Sequence, residues 1–312
     1  MKRLRTLLVL GRVSNLPTVW TNCLVGMVAA AGTLEAIGGG NGFWALVIPE
    51  RPGGEAFGVV PTGWWGVILG VSGLYVGGMF LNDWADAEWD RMHAPERPIP
   101  SRAISRLGVF VWAVCLFVFG WFTLTAMGNA TSLWIWVLVG AIVVYDLVHK
   151  RWVGSVGIMG LCRFAVYPAA GSVEAGGAIG KVFPPALWGV AGGMFFYVVG
   201  VTLVARGERS GGVVKGVAWF CLSVPVLVWV WLGVSVTGVL MLLILAWWWW
   251  RTGGHLRVKG DRGRVGGFVS GLLAGIVIVD ALMVSAVDGR AAWICLAMLP
   301  LCLLLQRKVP AT

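Results

Sequence analysis

The stretch Asn82-Asp83-Trp84-Ala85-Asp86-Ala87-Glu88-Trp89-Asp90-Arg91 closes an apolar run that begins near residue 62. It holds four of the chain's 14 acidic residues. Asn82, Asp86 and Asp90 recur every fourth position. On a helix each such step drifts only about 40°, so three oxygen-bearing side chains share one stripe roughly 12 Å long. Carboxylates are costly inside a bilayer and cheaper at its edge, which places this stretch at the mouth of a membrane helix. Clustered on adjacent turns they still repel unless a cation lies between them. Oxygen donors of this kind suit Mg²⁺, which takes one or two carboxylates, keeps several waters and accepts phosphate oxygens. The alternative is a plain helix end solvated by the cytosol.

The rest of the chain supports the membrane setting. Its 312 residues are 58% hydrophobic and only 12% charged, about half the charge of an average soluble domain. The mean hydropathy is +0.84. Trp occurs 20 times and Gly 46 times, a usage suited to interfacial belts and close-packed spans. A disordered chain, a coiled coil and a water-soluble enzyme are excluded. The net charge of +10 lies in short gaps between apolar runs, so its natural partners are anionic lipid heads and a phosphorylated substrate, not nucleic acid. The six cysteines all fall in apolar stretches without CxxC spacing and read as small core residues. His93, His149 and His255 lack zinc-type spacing. Lys2, Arg3 and Arg5 before Thr6–Leu10 imitate a signal peptide, but Arg12 and Asn15 interrupt the apolar core. The segment is read as the flank of the first span.

The fold expected is an all-α polytopic membrane helix bundle of nine to ten transmembrane helices. Apolar segments lie at about 13–34, 62–82, 107–127, 131–149, 153–173, 184–205, 214–232, 236–250, 266–287 and 291–306. With ten spans and the N-terminus inside, twenty Lys and Arg fall on the cytoplasmic side. Only Arg51, Lys181 and Arg290 fall on the other, and Arg163 is left within a span. That asymmetry fits the positive-inside rule. Trp247–Trp250 before Arg251 read as an interfacial anchor.

On the NxxxDxxxD signature of Asn82, Asp86 and Asp90, followed by Arg97-Pro98-Ile99-Pro100-Ser101, the sequence resembles the UbiA family of intramembrane prenyltransferases. The opening Gly11-Arg12-Val13-Ser14-Asn15-Leu16-Pro17 is similar to the family's first span. The resemblance implies one membrane domain over residues 1–312, with a UbiA-like bundle over 1–290 and an additional C-terminal helix at 291–306. It implies Mg²⁺ as cofactor, held by Asn82, Asp86 and Asp90 as the catalytic set. An isoprenyl diphosphate and a small lipophilic acceptor, aromatic or alcoholic, would be the partners. Lys150, Tyr145, Arg163, Arg97, Arg206 and Arg209 would serve the diphosphate, with Asn15 on the acceptor side. Departures exist: Arg102 stands where the family usually has Gly, and the second Asp-rich motif is reduced to Glu208 between Arg206 and Arg209. Glu208 is the residual candidate for a second metal. Either the two arginines replace metal charge, or the protein is a non-catalytic prenyl-lipid carrier or transporter on the same scaffold. With Tyr145-Asp146-Leu147-Val148-His149-Lys150 and Leu161-Cys162-Arg163, the pattern resembles the divergent EboC-type branch. A CDP-alcohol phosphotransferase would need an acidic pattern that does not follow Asp83 or Asp86. Arg163 reads as a cation facing the phosphate cavity or as partner to Asp280, and Asp280 reads as structural. The expected location is a bacterial plasma membrane with the N-terminus and site cytoplasmic.

Overall fold

The computed structural model describes residues 2–38, 62–150, 152–174, 183–207, 216–254 and 263–309. Among these the chain is helical, and no strand occurs. An N-terminal helix α1 (Lys2–Leu10) leads through a 3₁₀ turn into α2 (Leu16–Gly38). Then come α3 (Thr62–His93), α4 (Arg106–Phe122), α5 (Ser132–Val148), α6 (Ser155–Glu174) and α7 (Pro185–Gly207). The chain continues with α8 (Gly216–Leu232), α9 (Val236–Gly253), α10 (Gly263–Ala274), α11 (Ile276–Val284) and α12 (Gly289–Gln306). Every apolar segment expected from the sequence is thus a helix. Six described helices are long and apolar enough to cross a membrane, and α5 and α8 are shorter apolar ones.

The expected span at 266–287 is found as Gly266–Val284, long and apolar enough to cross a membrane, with its helix broken at Gly275 into α10 and α11. The Trp248 indole donates to the Gly271 carbonyl at 2.8 Å, and the Tyr197 hydroxyl to that of Leu272 at 2.9 Å. Neighbouring helices thus serve backbone acceptors just before the break, which is how an irregular turn is tolerated in a membrane protein.

Contacts between helix ends fall into two sets. Arg206, ending α7, donates to the carbonyls of His149 and Val153 and to Ser155 Oγ, between α5 and α6. At the other end, Thr131 N donates to Ser172 Oγ, and Ser235 Oγ to the Ser285 carbonyl. Gly66 there abuts Gly128. The helices therefore run alternately up and down. The core is made of α2, α6, α7 and α11, with all nine residues of α11 buried. Helix α4 is peripheral, and Trp112, Val118, Phe119 and Phe122 are exposed on it, as lipid-facing side chains would be. The C-terminal helix α12 packs on α2 and α11.

Helix α3 has two working faces. Gly66, Gly70, Gly73 and Gly77 form a stripe so close to α4 and its following π turn that a Cβ on Gly70 would lie 2.5 Å from Leu124 and 3.0 Å from the Gly120 carbonyl. Small residues permit such approach where lipid supplies no hydrophobic drive. The other face carries Val71, Tyr75, Gly78, Asn82, Asp86, Trp89 and Asp90 into a cavity.

Candidate functional site

The cavity has a volume of about 380 Å³, within the range of small-ligand pockets. Its wall is apolar over Val19, Val71, Leu138, Ile142, Val166, Val198 and Ile276. The polar part is made by Arg12, Asn82, Asp86, Asp90, Arg97, Tyr145, Asp146, His149 and Lys150. Arg163 and Asn15 also line it. The chamber is therefore amphiphilic, charged in one part and oily in the rest.

The three oxygen-bearing residues of the α3 stripe share this cavity, as helical periodicity requires, and each is met by a different partner. Asp86 Oδ1 is 2.7 Å from Lys150 Nζ and 3.5 Å from His149 Nε2. Lys150 also lies over the Trp89 ring at 4.0 Å, a cation–π contact. Asp90 Oδ2 accepts from Arg97 Nη1 at 2.9 Å. Burial works against the Arg97 charge, but the Asp90 carboxylate outweighs it and raises the guanidinium pKa above its ordinary value. Asn82 donates to Asp146 Oδ1 at 3.1 Å. Asp83, off the stripe, is buried behind it and sits 3.7 Å from Arg12 and 3.9 Å from Arg97. Glu88 is exposed and pairs with Arg91 and Arg106.

Arg163 projects from α6. It donates to Asn22 Oδ1 at 2.7 Å and to Thr18 Oγ1 at 3.1 Å, and lies 5.7 Å from the Tyr75 ring centroid. Asp280 is not its direct partner. Asp280 accepts from Thr21, Asn22 and Tyr167, so Asn22 joins the guanidinium to the carboxylate.

Asn82, Asp86, Asp90, Arg97, Tyr145, Lys150, Arg163 and Asn15 are thus brought to one chamber. Arg206 is not among its lining residues; its guanidinium serves the α5–α6 turn as described. Glu208 and Arg209 lie outside the described residues. Sequence reasoning passed over Arg12, Asp146 and His149, which line the same chamber. Arg12, counted there only as a basic flank, adopts a left-handed conformation with φ 42°. Asp146 and His149 share helical spacing with Leu138, Ile142 and Tyr145, the signal that would have found them.

Among the described residues no three His, Cys, Asp or Glu side chains are gathered closely enough to hold a metal alone. Mg²⁺ needs fewer, since it takes one or two carboxylates and keeps waters. Asp90 Oδ1 and Asp146 Oδ2 are buried carboxylate oxygens without a hydrogen-bond partner. They line the same chamber as Asp86 and the Asn82 amide, oxygen donors of the kind that ion takes one or two of.

The model of the UbiA prenyltransferase family matches residues 42–258. Digeranylgeranylglyceryl phosphate synthase of Thermococcus kodakarensis is 28% identical over 171 residues, covering 46% of this chain and 55% of that one. The enzyme of the same name from Methanothrix thermoacetophila is 46% identical over 44 residues, 14% of this chain and 16% of that one. The chain thus spans about half the length, or less, of the curated relatives it matches. A solved structure of digeranylgeranylglyceryl phosphate synthase superposes with a TM-score of 0.57 at 16% identity, over 92% of this chain and 100% of the other. At that identity the likeness is one of fold.

Proposed function

The chain belongs to the UbiA prenyltransferase family, and on that footing we propose that it is a Mg²⁺-dependent integral-membrane prenyltransferase. The observation that carries this reading is the single amphiphilic chamber, in which acidic and basic side chains adjoin an apolar wall. Its natural ligand has a polyanionic head and a hydrocarbon tail, as an isoprenyl diphosphate does. Asn82, Asp86 and Asp90 would hold the magnesium, which when bound supplies positive charge against the leaving diphosphate. Lys150, Arg97 and Arg163 offset the remaining head-group charge, with Tyr145 beside them. Arg12 joins this cationic set, and His149 places an imidazole beside Asp86. Fixed cations near the leaving group lower the barrier to C–O cleavage, and the apolar wall keeps water from the allylic carbon. An acceptor hydroxyl then bonds to that carbon, and its proton passes to the released diphosphate. The names of the relatives make a glyceryl phosphate alcohol the first acceptor to try, with Asn15 lining its approach.

We further propose nine to ten membrane crossings, the N-terminus and site on the cytoplasmic face of a bacterial plasma membrane, and a single domain of which α12 is an addition. The alternate helix directions and the Lys/Arg asymmetry support the topology. The EboC-type placement rests on the sequence around Tyr145 and Arg163. The test of function is incubation of purified protein with labelled geranylgeranyl diphosphate, Mg²⁺ and a prenylated or free glyceryl phosphate. Released pyrophosphate and a lipid-soluble prenylated product are expected, both abolished in Asp86→Ala and Asp90→Ala. Tight binding without release across alcoholic and aromatic acceptors would overturn catalysis in favour of a lipid carrier, a reading that the reduced acidic motif at Glu208 and the Gly-rich spans favour.

A further inference from the structure

Asp146 faces the α3 stripe from α5, and the reading above gives it no task. It is 5% exposed and lines the chamber. Its two carboxylate oxygens differ: Oδ1 accepts from Asn82 Nδ2 at 3.1 Å, whereas Oδ2 is buried without a hydrogen-bond partner. Asn82 Nδ2 is the donor of that bond, so the amide end that faces Asp146 is the nitrogen. The Asn82 oxygen is thereby turned away from Asp146 and left for another ligand. A buried acceptor without a donor is a cost that packing does not explain. Asp90 repeats the pattern from the opposite helix, with Oδ2 held by Arg97 and Oδ1 buried and open. An open carboxylate oxygen beside an amide fixed oxygen-outward, on the chamber face that also carries the open Asp90 oxygen, suits a hydrated divalent cation. The chain also has reason to recruit an acid from α5, because the acidic motif expected directly after α7 is reduced to Glu208.

We infer that Asp146 is a positioning residue of the cation site. Its Oδ1 fixes the Asn82 amide so that the amide oxygen faces the ion, and its Oδ2 accepts from ion-bound water. This rests on the magnesium reading of the α3 stripe. The test is Mn²⁺ titration of detergent-purified protein, followed by the electron paramagnetic resonance signal of free Mn²⁺, with Mg²⁺ as competitor. Asp146→Asn is expected to weaken Mn²⁺ binding about tenfold or more, the size seen when partners of metal ligands are removed. Asn82→Ala and the double variant complete a cycle in which the two losses are non-additive, since both substitutions undo one arrangement. If Asp146→Asn does not fold, Asp146→Glu carries the test: it keeps the charge, displaces the oxygens by one methylene, and should weaken Mn²⁺ severalfold. Wild-type affinity in the folded variant, or strict additivity, overturns the inference and leaves the stripe intact. Absence of Mg²⁺-displaceable Mn²⁺ binding in the wild type overturns both.

Discussion

Asp280 is completely buried, and three donors converge on it: Thr21 at 2.6 Å, Asn22 at 2.7 Å and Tyr167 at 2.5 Å. Removing that acceptor leaves the buried Tyr167 hydroxyl without one and breaks a bond from each of Thr21 and Asn22, which keep only the Thr18 carbonyl and the Tyr167 hydroxyl. Asp280→Ala should therefore lower stability by about 3–5 kcal/mol, read as a fall in thermal unfolding midpoint in detergent; a change below about 1 kcal/mol would refute the role. Lys150 and Arg206 separate two kinds of basic residue. Lys150 Nζ sits 2.7 Å from Asp86 in the chamber, so Lys150→Met should raise KM for a prenyl diphosphate about tenfold, the worth of a hydrogen bond to a charged group. Arg206 instead satisfies two carbonyls and a hydroxyl at the α5–α6 turn. Arg206→Ala should lower the unfolding midpoint and leave KM within twofold (roughly the precision of such a comparison). Steady-state kinetics on both variants checks the contrast, and a KM effect in Arg206→Ala as large as that of Lys150→Met would show that Arg206 reaches the head group.

The packing of α2 on α6 shows how helices place these residues. A Cβ on Gly26 would lie 2.6 Å from the Tyr167 carbonyl oxygen, and one on Gly171 2.9 Å from that of Gly26. This approach sets Asn22 of α2 against Tyr167 and Arg163 of α6. Gly26→Val must push the helices apart, with an expected loss of about 3 kcal/mol and a parallel loss of activity. Gly140→Ala, where an added Cβ meets nothing within 4 Å, is the control and should be neutral or slightly stabilising by helix propensity. A Gly26→Val protein as stable as the control would refute the close approach. At this scale the sequence was highly legible, because apolar length alone locates a membrane helix and four-residue spacing alone gathers Asn82, Asp86 and Asp90 on one face. The break at Gly275 was not legible, since it depends on Trp248 and Tyr197 reaching across from other helices. Asp146 was hidden for a similar reason: one acid near a helix end has no pattern of its own until a second helix brings Asn82 to it. Arg12 was obscured by its neighbours, since a basic residue before a first span is already accounted for by the positive-inside rule.

Among the described residues, the helix connections other than the break at Gly275 lie at one of two ends of the bundle. Ser101 follows α3 and precedes α4, at the end where Arg97 meets Asp90 and Arg206 meets His149. Val234 joins α8 to α9 beside Ser235, whose hydroxyl reaches Ser285 at the opposite end. Both positions are exposed, and they should lie on opposite sides of the membrane, Ser101 on the cytoplasmic side with most of the Lys and Arg. In a Cys115→Ser background, which removes the exposed native thiol, Val234→Cys should react with a membrane-impermeant maleimide in intact cells and Ser101→Cys only in inverted vesicles. Labelling of both from the same side would break the up–down order. Labelling with the sides exchanged would preserve the bundle but turn the chamber mouth, and with it the proposed diphosphate site, toward the cell exterior.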